Sequence, residues 1–465
     1  MNKETRIQKI AEILNRDKDN PYGKQDIPWK DGLEPMFVYK IPLEYLVYNK
    51  YNGRILSRTK SLESQGYDID VESKDGCELV EKLLMDSNFD RNKQTLESIK
   101  KIGQEKVGII TRDGIIIDGN RRAMLLKKSE KYDYFKTVVL DVTLEEDPLE
   151  IEKLETTYQM GEDEKLGYNP IEKYLKAKGL NQRGVAFDKI ANWMGEAGTT
   201  IKDYLKIMET MDDYLDYLGY NGIYTQLDDR EDQFISLTKW LSNFYGEESS
   251  KAFDGYQNSD VDDLKIISYD YIRIKYEGKD FRNIAQGLKE NHFFGDKQIW
   301  ESFKNFHFEH IDPIKSSEDK IILDSDNLKS YLDGRDKSFF EKTKNERNKS
   351  FLFENVDKHK QQVGNKNDAN EPIKLVNGAF DALGAINQRH PKFSESQVMK
   401  KLEEINEQTS KMLARNLSDN ILSRVIMMLE SINFKNNKHT KDELLSQVNN
   451  IRKVVTKIEN EIKQL

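Results

Sequence analysis

GIIIDGNRRAMLLKK, residues 114–128, is the stretch on which the fold turns. Ile115, Ile116 and Ile117 read as a strand, because β-branched residues pack well on a pleated, buried surface. Asp118-Gly119-Asn120 reads as a sharp turn, since these residues tolerate positive φ or bond their own backbone. Arg121-Ala-Met-Leu-Leu-Lys-Lys128 then reads as a helix. Arg121 and Arg122 stand at the head of that helix, against the positive end of its dipole. Such a placement calls for something negative beside them. Two roles are open to each arginine: a bidentate contact to a phosphate, or an ion pair with a neighbour such as Asp118.

Working outward, an α/β pattern surrounds this unit. Residues 36–50 predict a first strand and a short turn, and a helix is expected around Leu79 to Met85. Thr95 to Ile102 predicts a short helix, Lys106 to Thr111 a strand, and Thr137 to Val142 another strand. Asp147 and Pro148 suit the cap and first position of a helix running to about Tyr158. Asn169-Pro170 repeats that signature and opens an all-helical region. The fold class expected is α+β: a small mixed α/β domain followed by a mostly helical remainder.

The chain has 465 residues and a net charge of -9, so it is not a polyanion binder as a whole. Contact with nucleic acid requires a local basic surface. The single cysteine, Cys77, excludes an intramolecular disulfide and a cysteine zinc cluster, and fits a reducing, cytoplasmic setting. The start has no long apolar core of the kind a signal peptide needs, and no apolar run is long enough to span a membrane. Richness in Asn, Lys and Ile is what an AT-rich bacterial or phage genome yields.

Four pieces follow in order: Ile41 to Arg54, Thr95 to Gly114, Asp118 to Met124, and Thr156 to Lys176. This order resembles the ParB/sulfiredoxin superfamily, and within it the ParB-like N-terminal domain joined to a helical DNA-binding domain. The resemblance covers about residues 36–210. Gly119, Arg121 and Arg122 match the family's Gly-x-Arg-Arg box. Gln159 matches its glutamine box, and Asn169, Pro170 and Glu172 match its helix start. The resemblance implies a nucleoside triphosphate ligand, CTP or ATP/GTP, with Mg2+ as companion ion. It also implies a nucleotide site at Gly53, Arg54, Asp118, Gly119, Asn120, Arg121, Arg122, Thr157 and Gln159. Thr156 and Thr157 stand where the family has Glu-Asn, the pair tied to hydrolysis and metal. Binding is therefore favoured over turnover, and no catalytic residue is assigned. Glu152 and Glu155, on the same helix, are the acids near enough to substitute. Asn120 stands where the sulfiredoxin branch has cysteine, which argues against that activity.

Phe187 to Gly195, Glu196-Ala197-Gly198 and Thr199 to Thr210 form a helix-turn-helix candidate. Ile190, Trp193, Met194, Ile201, Leu205 and Met208 give the two helices apolar faces. Thr199 suits the N-cap of the second. Thr199, Thr200, Lys202 and Lys206 are the residues expected to meet double-stranded DNA. Residues 173–206 carry seven cationic and three acidic side chains, a basic island in an acidic chain.

The expected organisation is an N-terminal arm at 1–35, a nucleotide-binding domain at 36–160, and a helical domain at 165–310. A charged linker at 315–390 and a helical assembly region at 391–465 complete it. In the last region Val398, Leu402, Ile405, Thr409 and Met412 keep heptad spacing. Leu444, Val448, Ile451, Val455, Ile458, Ile462 and Leu465 do the same, which fits a coiled-coil homo-oligomer or an intramolecular bundle. Tyr214, Tyr217 and Tyr220 fall at helical spacing and read as core. His307, Glu309, His310 and Asp312 lie close together without an accompanying motif, read as a solvated cluster, and are assigned no metal. Nucleotide-dependent DNA binding is the function expected. The alternatives are an NTPase or nuclease of a mobile-element or phage-defence system, and a non-catalytic scaffold.

Overall fold

The computed structural model describes residues 1–30, 32–158, 169–246, 249–318, 328–414, 425–426, 429–430 and 440–464. Two compact units are present, Met1–Asn370 and Glu371–Leu465.

The first unit opens with α1 (Lys3–Arg16), β1 (Gly23–Trp29), β2 (Gly32–Pro42), α2 (Leu56–Glu63), α3 (Lys74–Asp86) and α4 (Phe89–Ile102). It continues with β3 (Gly108–Ile110), β4 (Ile116–Asp118), α5 (Asn120–Ser129), β5 (Tyr134–Val139) and α6 (Pro148–Thr156). The strands form one sheet in the order β1-β2-β5-β3-β4. Only the β3–β5 pair is parallel.

Alternation along the strands sends side chains to two cores. Ile41, Ile110, Ile116 and Phe135 pack with Ile10 of α1, Val80 and Leu84 of α3, and Met124 and Leu125 of α5. Val38, Ile109, Ile117 and Val138 pack with Ile27, Trp29, and Ile151 and Leu154 of α6. Both faces are covered, and the short β3 and β4 are buried throughout.

Three expectations are corrected here. Residues 1–35 are not an arm: Ile10 and Ile27 are fully buried, and β1 is an edge strand of the sheet. The polar segment 51–95 holds a further helix, α2. The strand expected at Ile115–Ile117 shifts to Ile116–Asp118, because Gly114 takes a positive φ of 84° in the turn before it.

The rest of the first unit is helical: α7 (Pro170–Gln182), α8 (Phe187–Met194), α9 (Gly198–Leu218), α10 (Glu231–Phe244) and α11 (Asn258–Arg273). α12 (Gly278–Phe281), α13 (Lys297–Ser316), α14 (Leu328–Lys342) and α15 (Phe351–Asn367) follow. Tyr214 and Tyr220 are buried in its core, as their helical spacing implied, together with Phe234, Trp300 and Phe303. Tyr217 differs: it is 40% exposed and its hydroxyl accepts from Lys315 Nζ. Leu332, Phe339, Leu352 and Val356 join that core, so Leu328–Lys342 and Phe351–Asn367 are packed helices rather than linker. Its charges face outward, while Asp336 points in to Arg230 (3.3 Å), Arg273 (2.7 Å) and the Tyr220 hydroxyl (3.1 Å). His307 is likewise not solvated: its ring is buried against Asp270 at 2.9 Å. Among the described residues no cluster of metal-ligating side chains exists, and no helix is long and apolar enough to cross a membrane.

α2 joins the sheet to the helical part. The Glu172 carboxylate accepts from the Ser57 backbone N–H at 2.8 Å and from its hydroxyl at 2.6 Å. Arg58 makes a two-pronged pair with Asp228, at 3.1 and 2.7 Å.

The second unit contains α16 (Pro372–Gly384), α17 (Ser396–Ala414) and α18 (Lys441–Ile462). Thr440 and Glu443 form a reciprocal cap at the start of α18. Val448, Val455 and Ile462 of its heptad stripe are exposed.

Candidate functional site

α5 begins at Gly119, whose φ of 100° follows from its neighbours as well as its turn. A Cβ there would sit 2.7 Å from the Phe135 ring. No side chain caps the helix, so its first N–H groups and its dipole face outward, a ready site for an anion.

The three residues after Gly119 divide the work. Asn120 turns inward and is 2% exposed. Its oxygen accepts from the Asn49 N–H at 2.9 Å, and its amide donates to the Ile116 carbonyl at 2.9 Å. Arg122 ties the helix to the loop before β3. Its guanidinium donates to Asp118 at 2.6 Å, to the Lys106 carbonyl at 2.6 Å and to the Val107 carbonyl at 2.9 Å. Of the two roles open to the arginines, Arg122 therefore takes the ion pair with Asp118. Arg121 stands beside it on the wall of a cleft.

That cleft has a volume of about 690 Å³. Arg54, Arg91, Lys106, Arg121 and Arg122 line it, against two acids, Glu105 and Asp118. Asn52, Gly119, Asn120, Tyr158, Gln25 and Gln104 also line it. Five cations against two anions at a helix N-terminus make a focused positive site in an acidic protein. Such a site can hold the phosphates of a ligand by charge-assisted hydrogen bonds.

Arg54, Asp118, Gly119, Asn120, Arg121 and Arg122 of the expected set come together at this cleft. Gly53 lies just behind the wall, where its N–H is bonded to the Glu155 carboxylate. Thr157 ends α6 without lining the cleft, and its neighbour Tyr158 does line it. Gln159 lies outside the described residues. Thr156 is buried, with its hydroxyl bonded to the Glu152 carbonyl at 2.7 Å. Arg91 and Lys106 carry no motif, and only the folding of α4 and β3 onto α5 brings them here.

Glu152 and Glu155 do not replace the absent acid. Both turn away from the cleft to Lys176 of α7, at 3.4 and 2.9 Å. Burial pushes the Glu155 carboxyl above its usual range. Burial also works against the charge of Lys176, and the two carboxylates more than offset it. Asp118 is committed to Arg122, so the residues present do not make a protein cage for Mg2+.

The helix-turn-helix candidate is built from α8 and α9, joined at Gly195 with φ 67°. Ile190, Met194 and Ile201 lock the pair together. Thr199, Lys202 and Lys206 are exposed on α9, and Thr200 is half-buried. One detail is corrected: α9 starts at Gly198 with Ala197 at its N-cap, so Thr199 sits inside the first turn.

No protein-family model matches the chain, and no curated protein matches it. Among solved structures it is similar to the chromosome-partitioning protein ParB from Caulobacter crescentus, C-terminally truncated and complexed to the centromeric parS site. Identity there is 10%, over 53% of this chain and 97% of that one, with a TM-score of 0.28. It is also similar to the same truncated protein complexed with CTP-gamma-S. Identity is 12%, over 43% of this chain and 92% of that one, with a TM-score of 0.17. At these scores the chemistry of this chain has to be argued from its own residues.

Proposed function

We propose that this protein binds a nucleoside triphosphate, CTP or ATP or GTP, in the cleft at the head of α5, and double-stranded DNA through α9. The observation that carries the reading is the uncapped N-terminus of α5 opening into a cleft lined by Arg54, Arg91, Lys106, Arg121 and Arg122. Arg121 and Arg54 bind phosphate, while Arg122 keeps the wall in place. Mg2+ enters on the phosphates of the nucleotide, as it does where proteins offer few carboxylates. On the DNA side, Thr199, Thr200, Lys202 and Lys206 contact the backbone and groove.

The two sites have a mechanical connection. α2 starts two residues after Arg54, and its first turn is held by Glu172 of α7 and by Asp228. A ligand that draws Arg54 inward pulls on α7, which packs against α9. The nucleotide thereby biases the arrangement of the helical part and its grip on DNA. The exposed heptad stripe of α18 is read as the seam of a homo-oligomer.

Titration with labelled CTP, ATP and GTP, with and without duplex DNA, tests the proposal. One nucleotide is expected to bind and to change DNA affinity, and Arg121→Ala to weaken its binding at least tenfold. If none of the three binds, the reading is lost. For the assembly, light scattering on a chain ending near residue 390 is expected to give a smaller oligomer than the full chain.

A further inference from the structure

The cleft does not end at the phosphate pole. Its lining also includes Gln25 of β1 and Gln104, which precedes β3. Gln104 is pinned in place by β5. Its oxygen accepts from the Lys136 N–H at 2.7 Å, and its amide donates to the Lys136 carbonyl at 2.7 Å. The Lys136 ammonium returns to the Gln104 carbonyl at 2.9 Å.

Lys136 faces Lys40 directly across the β2–β5 pair. Like charges at directly opposed positions of a sheet are destabilising. Among the described residues neither ammonium has a carboxylate within ion-pair distance. Both lie against aromatic rings instead. Lys40 Nζ is 4.9 Å from the centre of the Tyr22 ring and 4.8 Å from that of Tyr134. Lys136 Nζ is 4.7 Å from the centre of Tyr22. Tyr22 is 52% exposed, an open aromatic face at the rim of an acidic protein.

Two ammonium groups without acidic partners, set against the exposed Tyr22 ring and the half-buried Tyr134 ring, suit a phosphodiester and a base together. Lysines take the phosphate, and the rings offer stacking that every base can use. The geometry points to a second subsite, Tyr22–Lys40–Lys136–Tyr134, that binds the next nucleotides of a single-stranded nucleic acid leading out of the cleft. This rests on the reading of the cleft as a nucleotide site and extends its ligand from a mononucleotide to an oligonucleotide. An acidic peptide would satisfy the lysines, yet it would leave the rings without a stacking partner.

The test compares fluorescently labelled single-stranded deoxycytidine hexamer, CTP and a hexaglutamate peptide on the full chain. The variants are Tyr22→Ala with Lys40→Gln, and Lys40→Arg alone. Tyr22 and Lys40 are exposed, so the double variant keeps the fold. The hexamer is expected to bind at least tenfold tighter than CTP. The double variant is expected to weaken the hexamer about tenfold or more and to leave CTP unchanged, whereas Lys40→Arg retains hexamer binding. The slope of log affinity against log salt is expected to fall by about 0.7 for the lost phosphate contact. A hexamer bound no tighter than CTP, or bound equally by the double variant, overturns the subsite. So does hexaglutamate binding as tightly as the hexamer. Should CTP fail to bind while the hexamer binds and the double variant loses it, the triphosphate reading falls and the subsite stands.

Discussion

Glu172 is the most informative residue to perturb. It is 1% exposed, sits in the first turn of α7, and reaches across to the start of α2. Burial pushes its carboxyl from 4.5 up to about 7, although Ser57 donates two hydrogen bonds to it. The sign follows from linkage. Below 4.5 the group is protonated in both states and costs nothing. Above 7 it is ionised in both, and the folded state bears the whole penalty. That penalty is about 3 kcal/mol, from about 1.4 kcal/mol for each pH unit between the two values. Glu172→Gln keeps the shape and an acceptor for Ser57 but has no proton to lose. The attraction of Arg58 and the repulsion of Asp228 act on this carboxylate, are lost with its charge in the variant, and are already contained in the raised value. Urea unfolding at pH 5, 6, 7 and 8 measures the effect. The variant is expected to gain stability relative to the parent as pH rises, by roughly 2–3 kcal/mol across that range. A difference that stays flat with pH would refute the account of Glu172 as a desolvated carboxylate joining the two parts.

Other outcomes follow from the same geometry. Arg121→Ala and Arg122→Ala should separate: the first is expected to lower nucleotide affinity at least tenfold. The second is expected to cost about 2 kcal/mol of stability, because Asp118 and two carbonyls lose their donor; thermal melts and nucleotide titrations of both distinguish them. Gly119→Ala forces a Cβ to 2.7 Å from Phe135 at a φ of 100°, and melting by circular dichroism should show a loss of about 2 kcal/mol. Lys202→Gln with Lys206→Gln should reduce the salt slope of duplex DNA binding by about 1.8, read by fluorescence anisotropy at several salt concentrations. Asp336→Asn removes the carboxylate shared by buried Arg230 and Arg273, leaving Arg273 its pair with Glu318, and denaturant titration should show a loss of about 3 kcal/mol.

Local pattern was enough for several features. The β-branched run Ile115–Ile117, the Asp-Gly turn and the helix after it are legible because each rests on near-neighbour sterics. Asn169-Pro170 marks its helix for the same reason, and helical spacing placed Tyr214 and Tyr220 in the core but not Tyr217, which is exposed. What sequence alone could not separate was the pair Arg121-Arg122, because both have the same chemistry and adjacent positions. Helical rotation of about 100° per residue sends one to Asp118 and the β3 loop and the other to the cleft wall. Arg91, Lys106 and Gln25 join the cleft from three distant elements, and the Lys40–Lys136 pair exists only through the β2–β5 register. Glu152 and Glu155 looked available to the cleft by proximity in the chain, until Lys176 of α7 claimed them from the other side. Near-neighbour rules decide turns, caps and strand character, since those depend on a few adjacent dihedrals. Which charges meet depends on contacts between residues far apart in the chain, and only the packed sheet and helices decide those.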